Sequence, residues 1–233
     1  MIKKIRVVPD SLASSIFFFR EIDVEALPDP RIVPLFGPNG VGKSTLIRDI
    51  ITYAHERRPQ IEVEVSDAPM VMYTYENGKD NFARRLGTRY EESYNPYSVI
   101  MSKEAQTLSE GQSIVYSVFD LLDGLQPGEQ MFGSEDEEPL VLLDEIDSGL
   151  SIDNIDSAMR KISQALAKRK NIQIFMSFNS PRVLKHFPHV ISMYDGSAIE
   201  LHSEDDMLAE FRKHKKEFNK ARKKSDGRPK VFW

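Results

Sequence analysis

The segment "RIVPLFGPNGVGKSTLIRDIITYA", Arg31 to Ala54, constrains this chain more than any other. An apolar run from Ile32 to Phe36 reads as a buried strand. Glycines at 37, 40 and 42 break the pattern, and a helix is expected from about Lys43 to Arg58, with Leu46, Ile47, Ile50, Ile51 and Ala54 on its apolar face. A strand that turns through glycines directly into a helix leaves backbone N–H groups unpaired, with the positive end of the helix dipole behind them. Gly37-Pro38-Asn39-Gly40-Val41-Gly42-Lys43-Ser44, followed by Thr45, matches G-x-x-x-x-G-K-[ST] in the strand–turn–helix context that the pattern requires. Such a loop curls around phosphates, its lysine reaches the β- and γ-phosphates, and its serine hydroxyl ligates Mg²⁺.

A second apolar run, "PLVLLDEID", has the continuous hydrophobicity of a strand covered on both faces of a parallel sheet. It ends in Asp144 and Glu145, which cannot be buried unpaired at reasonable cost. At the carboxyl end of a parallel strand they face the crevice where ligands bind, so Asp144 is the expected Mg²⁺ ligand and Glu145 the group that polarises an attacking water. A third stretch, "TLSEGQSIVYSVFDLL" from Thr107, opens another helix. Ser109 can cap it, Gly111 keeps the turn bare, and Ile114, Val115, Val118, Leu121 and Leu122 follow at helical spacing. This is a second anion site in a chain that already has one.

The remaining pattern alternates strands and helices, which argues an α/β fold with a largely parallel central sheet. Strands are expected at "KKIRVV", "SSIFFFREIDV", "IEVEV", "MVMYTY" and "IQIFMSF", with a hairpin of "HVISMYD" and "AIELH" around Gly196. Helices are expected over Lys79–Ser93, where Phe82, Leu86 and Tyr90 stand four apart, over Asp153–Arg169, briefly at "SPRVLKHF", and over Glu204–Lys223. The chain has no cysteine, which excludes disulfides and thiolate chemistry and fits a reducing cytosol. No apolar run approaches the roughly 20 residues that cross a membrane, and "MIKKIRVVPD" lacks the apolar core of a signal peptide, so a cytoplasmic protein is expected. Net charge is −5, but between Arg212 and Lys230 ten Lys or Arg face only Glu217 and Asp226. That stretch carries +8 and leaves −13 for the rest, so its basic helix is either a solvated end or a contact for nucleic acid, anionic lipid or an acidic partner. An acidic loop, "GSEDEEP" at Gly133–Pro139, is the chain's own candidate partner for it.

The phosphate loop, then "LSEGQ", then "LVLLDEIDSGLS", then "SFNSP", in this order, resembles the ABC-type ATPases over roughly Ile32–Pro181. The resemblance implies a P-loop NTPase with a mixed, largely parallel central sheet, a helical signature subdomain near 64–125, and an N-terminal antiparallel strand layer. The ATPase domain would span 1–203 and the basic helix and tail 204–233. It also explains the second anion site. Two such domains meet head to tail, and each ATP lies between one protomer's loop Gly37–Thr45 and the other's signature turn, so Ser109, Gly111 and Gln112 would bind the γ-phosphate of a partner's ATP. One loop and one signature imply a homodimer, or a heterodimer with a similar domain.

The sequence departs from the family at four places. "LSEGQ" has Glu110 where glycine is usual, and Ser148-Gly149-Leu150-Ser151 lacks the acid of the usual D-loop, although Ser151 suits a helix cap. Asn179 occupies the slot of the switch histidine, and none of the five histidines fits it. An amide can hydrogen-bond a γ-phosphate but cannot exchange a proton near neutral pH, which implies slow hydrolysis. Glu76 follows the strand "MVMYTY" in the slot of the family's Q-loop glutamine, with Asn77 and Asn81 as other candidates; its carboxylate is either a contact for Mg²⁺ or its water, or a solvated loop acid. Phe17, Phe18 and Phe19 are read as core and edge packing, with a ring stacked on adenine as the sharper alternative. Three functions are compatible with this pattern: a soluble ATP-driven switch for a partner protein or nucleic acid, the energising subunit of a transporter, and a binding-only regulatory ATP module. The departures at Glu76 and Asn179 favour the first.

Overall fold

The computed structural model describes residues 1–53, 60–68, 70–76, 83–85, 110–125 and 138–225. Two sheets organise them. The smaller is antiparallel, in the order β2 (Glu21–Asp23), β1 (Ile2–Val7), β4 (Ile61–Val65). The larger has, among the described residues, seven strands in the order β10 (Ala198–Glu200), β9 (His189–Ser192), β3 (Ile32–Phe36), β8 (Gln173–Ser177), β7 (Glu138–Asp144), β5 (Met70–Glu76), β6 (Ala83–Arg85). Strands β9, β3, β8, β7 and β5 are mutually parallel, and β10 and β6 close the two edges antiparallel. The expected mixed, largely parallel sheet and the separate antiparallel layer are both present.

The three central strands are buried at their cores. Val33, Leu35, Leu140–Leu143, Ile174, Phe175 and Met176 have no exposed surface. That is the fully covered parallel sheet that their continuous apolar runs predict. β3 pairs with β8 from Ile32 to Leu35 but with β9 only at Leu35 and Phe36, so Pro34, which has no N–H, precedes the pairing on that side. Helix α2 (Lys43–Tyr53), the first long one after the short turn α1 (Ala13–Ile16), packs Leu46, Ile47 and Ile50 inward. α3 (Glu110–Gly124) buries Val118, Leu121 and Leu122. α4 (Ile152–Lys168) starts on Ser151, whose side chain accepts the N–H of Asn154, as its sequence suggests. α5 (Glu204–Ser225) carries most of the basic stretch. Its first half is anchored: Phe211 stacks on Phe36 with centroids 5.1 Å apart, and His214 stacks on Tyr194 at 4.4 Å. Among the described residues no helix is long and apolar enough to cross a membrane.

Two expectations are corrected. "SSIFFFREIDV" is not one strand. Ala13–Ile16 forms the helical turn α1, and only Glu21–Asp23 pairs as a strand. Local hydrogen bonds decide this: Ser14 Oγ donates to the Ser11 carbonyl at 2.7 Å, and Ser11 Oγ donates to the Val8 carbonyl at 2.6 Å. Phe17 and Phe19 then turn inward and stack at 4.9 Å, while Phe18 is exposed. The helix expected over Lys79–Ser93 is interrupted by β6, whose Ala83, Arg84 and Arg85 pair with Tyr73, Met72 and Val71. The rest of that segment lies outside the described residues, as do Asn77, Asn81, Ser109 and the acidic loop up to 137.

Candidate functional site

The strand order places three parallel strand ends side by side. β3 ends at Phe36 and runs into the glycine loop, β8 ends at Ser177 before Asn179, and β7 ends at Asp144 before Glu145. β5 comes next, with Glu76 in register with Asp144. Ligands of open α/β sheets bind outside these carboxyl ends.

The loop needs its glycines. Gly40 and Gly42 have φ of +80° and +106°, in the region L side chains avoid. A Cβ on Gly42 would lie 2.9 Å from the Phe17 ring, so Phe17 serves as the floor under the loop. A Cβ on Gly40 would meet nothing within 4 Å, so the loop's outer face is open to a ligand. Lys43 is 6% exposed, and its ammonium donates to the carbonyls of Gly37 at 2.7 Å and Pro38 at 3.5 Å and to Asn179 Oδ1 at 3.0 Å. Burial lowers its proton affinity, and Asp147, Glu145 and Asp144, in that order, oppose the shift. Lys43 and Asn179, far apart in sequence, are thus in direct contact.

Ser177 joins β8 to β7. Its hydroxyl donates to Asp144 Oδ1 at 2.5 Å and accepts the N–H of Glu145 at 2.7 Å. Glu145 itself has φ +48°, a left-handed conformation that costs a non-glycine residue about 1–2 kcal/mol. The bond to Ser177 Oγ and the 2.9 Å bond from the Ser148 N–H to its own carbonyl hold it there. Glu145 is exposed at the end of the buried strand. Strain of this kind concentrates at functional positions.

The donor set fits Mg-ATP. Ser44 is exposed at the start of α2, and Asp144 is partly exposed at the end of β7. Among the described residues no group of three or more His, Cys, Asp or Glu converges as a complete cage. Mg²⁺ characteristically takes only one or two protein ligands and completes its shell from phosphates and waters. Gly111 and Gln112 lie in the first turn of α3, and Thr45 follows Ser44 in α2.

Two residues of the site lie within the quoted stretches "SFNSP" and "LVLLDEID" but have no role assigned by the sequence. Ser177 ends β8 after the apolar Ile174–Met176, and a polar residue following that run is the signal that could have marked it. Asp147 is 8% exposed, and its Oδ2 accepts the backbone N–H groups of Asn179, at 2.8 Å, and of Ser180. A third contact steadies the same turn from outside. Arg182 donates through Nε to Asp156 Oδ1 at 2.7 Å and pairs with its other oxygen, and His186 Nε2 lies 3.3 Å from Oδ1. The Arg182 hydrogen bond holds the Asp156 carboxyl well below the usual carboxylate range; desolvation opposes it, and His186 adds to it. A carboxylate whose folded pKa is depressed stabilises above the unfolded value near 3.9, and the effect fades as pH falls through the lower folded value. Asp156→Asn is therefore expected to lower the melting temperature near pH 7. The difference from wild type should narrow as melting is followed below about pH 4.

No protein-family model matches the sequence, and no curated protein matches it. In structure the chain is similar to ATP-binding cassettes. The cbiO1 protein of Clostridium perfringens, part of the ABC transporter complex cbiONQ, is 13% identical with a TM-score of 0.46, over 91% of this chain and 92% of that one. An ATP-binding cassette solved as a dimer in a post-hydrolysis state bound to ADP and Pi is 12% identical with a TM-score of 0.47, over 86% and 99%. The ADP conformation of a cassette of an ABC transporter is 14% identical with a TM-score of 0.44, over 89% and 94%. The likeness is distant and concerns the fold alone.

Proposed function

We propose that the chain is an ABC-class ATPase that binds Mg-ATP, hydrolyses it slowly, and uses ATP-dependent head-to-tail dimerisation as a switch acting on a partner protein or nucleic acid. The observation that carries this reading is the convergence of the glycine loop with Lys43, Asp144, Glu145 and Asn179 at three adjacent parallel strand ends, with Lys43 and Asn179 3.0 Å apart. The loop Gly37–Thr45 wraps the phosphates with its N–H groups, and Lys43 exchanges its carbonyl partners for phosphate oxygens. Ser44 and Asp144, with Glu76 beside Asp144, hold Mg²⁺, which supplies Lewis-acid polarisation of the phosphate oxygens. Glu145 orients the attacking water and takes its proton. Asn179 donates its amide N–H to the γ-phosphate but cannot relay a proton, so turnover is slow.

Ser109, Gly111 and Gln112 complete the site of the opposite protomer. A helix N-terminus has N–H groups without intrahelical partners and a positive dipole end, which favour an anion at the start of α3. An ATP held by the partner is the anion this reading assigns. The basic end of the chain, +8 from Arg212 to Lys230 on a body of opposite sign, is the proposed contact for nucleic acid or an acidic effector.

The solution mass with and without Mg-ATP tests the switch. Wild type is expected to shift from monomer to dimer with Mg-ATP, and Ser109→Arg, which places a bulky side chain in the signature turn, is expected to stay monomeric while still binding ATP. A wild-type mass unchanged by ATP removes the homodimer mechanism.

A further inference from the structure

Resting on the ATPase reading, we infer that Asp147 is a positioning residue for that reaction: its carboxylate holds Asn179 against Lys43 and ties the loop that follows β7 to the phosphate-binding lysine. The chain of contacts is continuous. Lys43 Nζ donates to Asn179 Oδ1 at 3.0 Å, and the Asn179 N–H donates to Asp147 Oδ2 at 2.8 Å. The next N–H, of Ser180, donates to the same oxygen. Asp147 in turn begins the turn 147–150, where its carbonyl accepts the Leu150 N–H at 3.3 Å. Asn179 Oδ1 is engaged by Lys43, and its amide nitrogen is the group left to face a γ-phosphate. A side chain with this division of labour must be held in one orientation, because a flip exchanges its donor for its acceptor.

The choice of a carboxylate at this position argues for more than a structural cap. Asp147 is buried, and its second oxygen, Oδ1, has no hydrogen-bond partner among the described residues. Leaving a buried carboxylate oxygen unsatisfied is costly. Elsewhere this chain closes turns with serine, as at Ser151 and Ser180, or with aspartates that keep contact with solvent, as at Asp23, Asp195 and Asp206, whereas the Asp147 carboxylate is buried. Two donors on one oxygen reach backward from Asp147 to the turn after β8. This fixes the backbone on which Asn179 stands as well as a helix end. Residues 147 and 179, on different strand ends, thereby act as one unit beside the lysine.

A double-mutant cycle on the full-length protein tests it, with kcat and KM for ATP and thermal melts measured for Asp147→Ala, Asn179→Ala and the pair. Each single variant is expected to lower kcat on the order of tenfold with little change in KM, and the pair to be no slower than the worse single variant. Asp147→Asn, whose amide oxygen can accept the same two N–H groups, should recover most of the rate. If Asp147→Ala does not fold, Asp147→Glu carries the same cycle, because its longer side chain displaces the carboxylate. Multiplying effects, or an Asp147 variant that lowers the melting temperature and leaves kcat unchanged, would overturn the inference while the ATPase reading stands. Wild-type turnover no higher than the background rate of ATP hydrolysis without the protein would instead overturn the ATPase reading, and the inference with it.

Discussion

Glu145→Gln is expected to lower ATP turnover by about 10²–10⁴-fold while Mg-ATP still binds. The substitution keeps the size of the side chain and removes the charge and basicity that accept a proton from water. It leaves intact what positions residue 145, since the bonds at that residue are made by its backbone: N–H to Ser177 Oγ at 2.7 Å, and carbonyl to the Ser148 N–H at 2.9 Å. The left-handed φ of +48° is tolerated by Gln no worse than by Glu, so the fold should be unchanged. Asp144 keeps its bond from Ser177, and the Mg²⁺ donor set with it. The expected signature is a stable ATP complex, and in the dimer reading a long-lived dimer, measured by phosphate release and by solution mass on the same samples. Equal turnover in variant and wild type would assign the water to another group.

The largest expected effect on stability belongs to a residue outside the site. Gly196→Ala should destabilise the protein by about 3–5 kcal/mol, combining the cost of an L residue at positive φ with that of overpacking. Gly196 turns the β9–β10 hairpin at φ +79°, and its N–H donates to the Ser192 carbonyl at 2.8 Å. A Cβ there would lie 2.1 Å from the backbone carbonyl oxygen of Glu21 and 3.1 Å from Phe19 Cβ. The obstacle is backbone, so no rotamer change relieves it. Glu21 opens β2, so the glycine is where the antiparallel layer rests on the edge of the parallel sheet. Urea denaturation monitored by circular dichroism measures the loss. A change under about 1 kcal/mol would mean that the hairpin and β2 separate without cost.

The parts of the fold that can be read from the sequence are those with a strong local period. Ile32–Phe36, Leu140–Leu143 and Ile174–Met176 are continuous apolar runs, and each lies in a buried parallel strand. The phosphate loop is legible because its glycines are required by backbone geometry. Ala83–Arg85 is not legible as a strand, since three residues are too few to show alternation and the pairing with β5 is set by tertiary contact. The Phe17–Phe19 run resembles a strand because alternate rings do point inward, but serine side chains upstream divert the backbone into a turn. In the site, the loop Gly37–Thr45, Asp144 and Glu145 declare themselves through motifs. Ser177 and Asp147 stand within those stretches without a readable role, because their role is to connect strand ends that lie 33 residues apart, as the Ser177–Asp144 and Asp147–Ser180 bonds do.

The stack of Phe211 on Phe36 determines how this molecule can be dissected. Phe36 is the last residue of β3, and its carbonyl accepts the Met193 N–H at 2.8 Å, so the ring from α5 rests on the strand that delivers the glycine loop. Deleting all of α5 to ask what the basic residues do would also strip Phe211 and His214 from the body and expose the faces they cover. A stop codon after Lys216 keeps both ring pairs and still removes six of the ten basic residues between Arg212 and Lys230. Truncation experiments on either side of that point ask different questions: one removes the two ring pairs, and the other leaves them in place while removing the basic residues beyond Lys216.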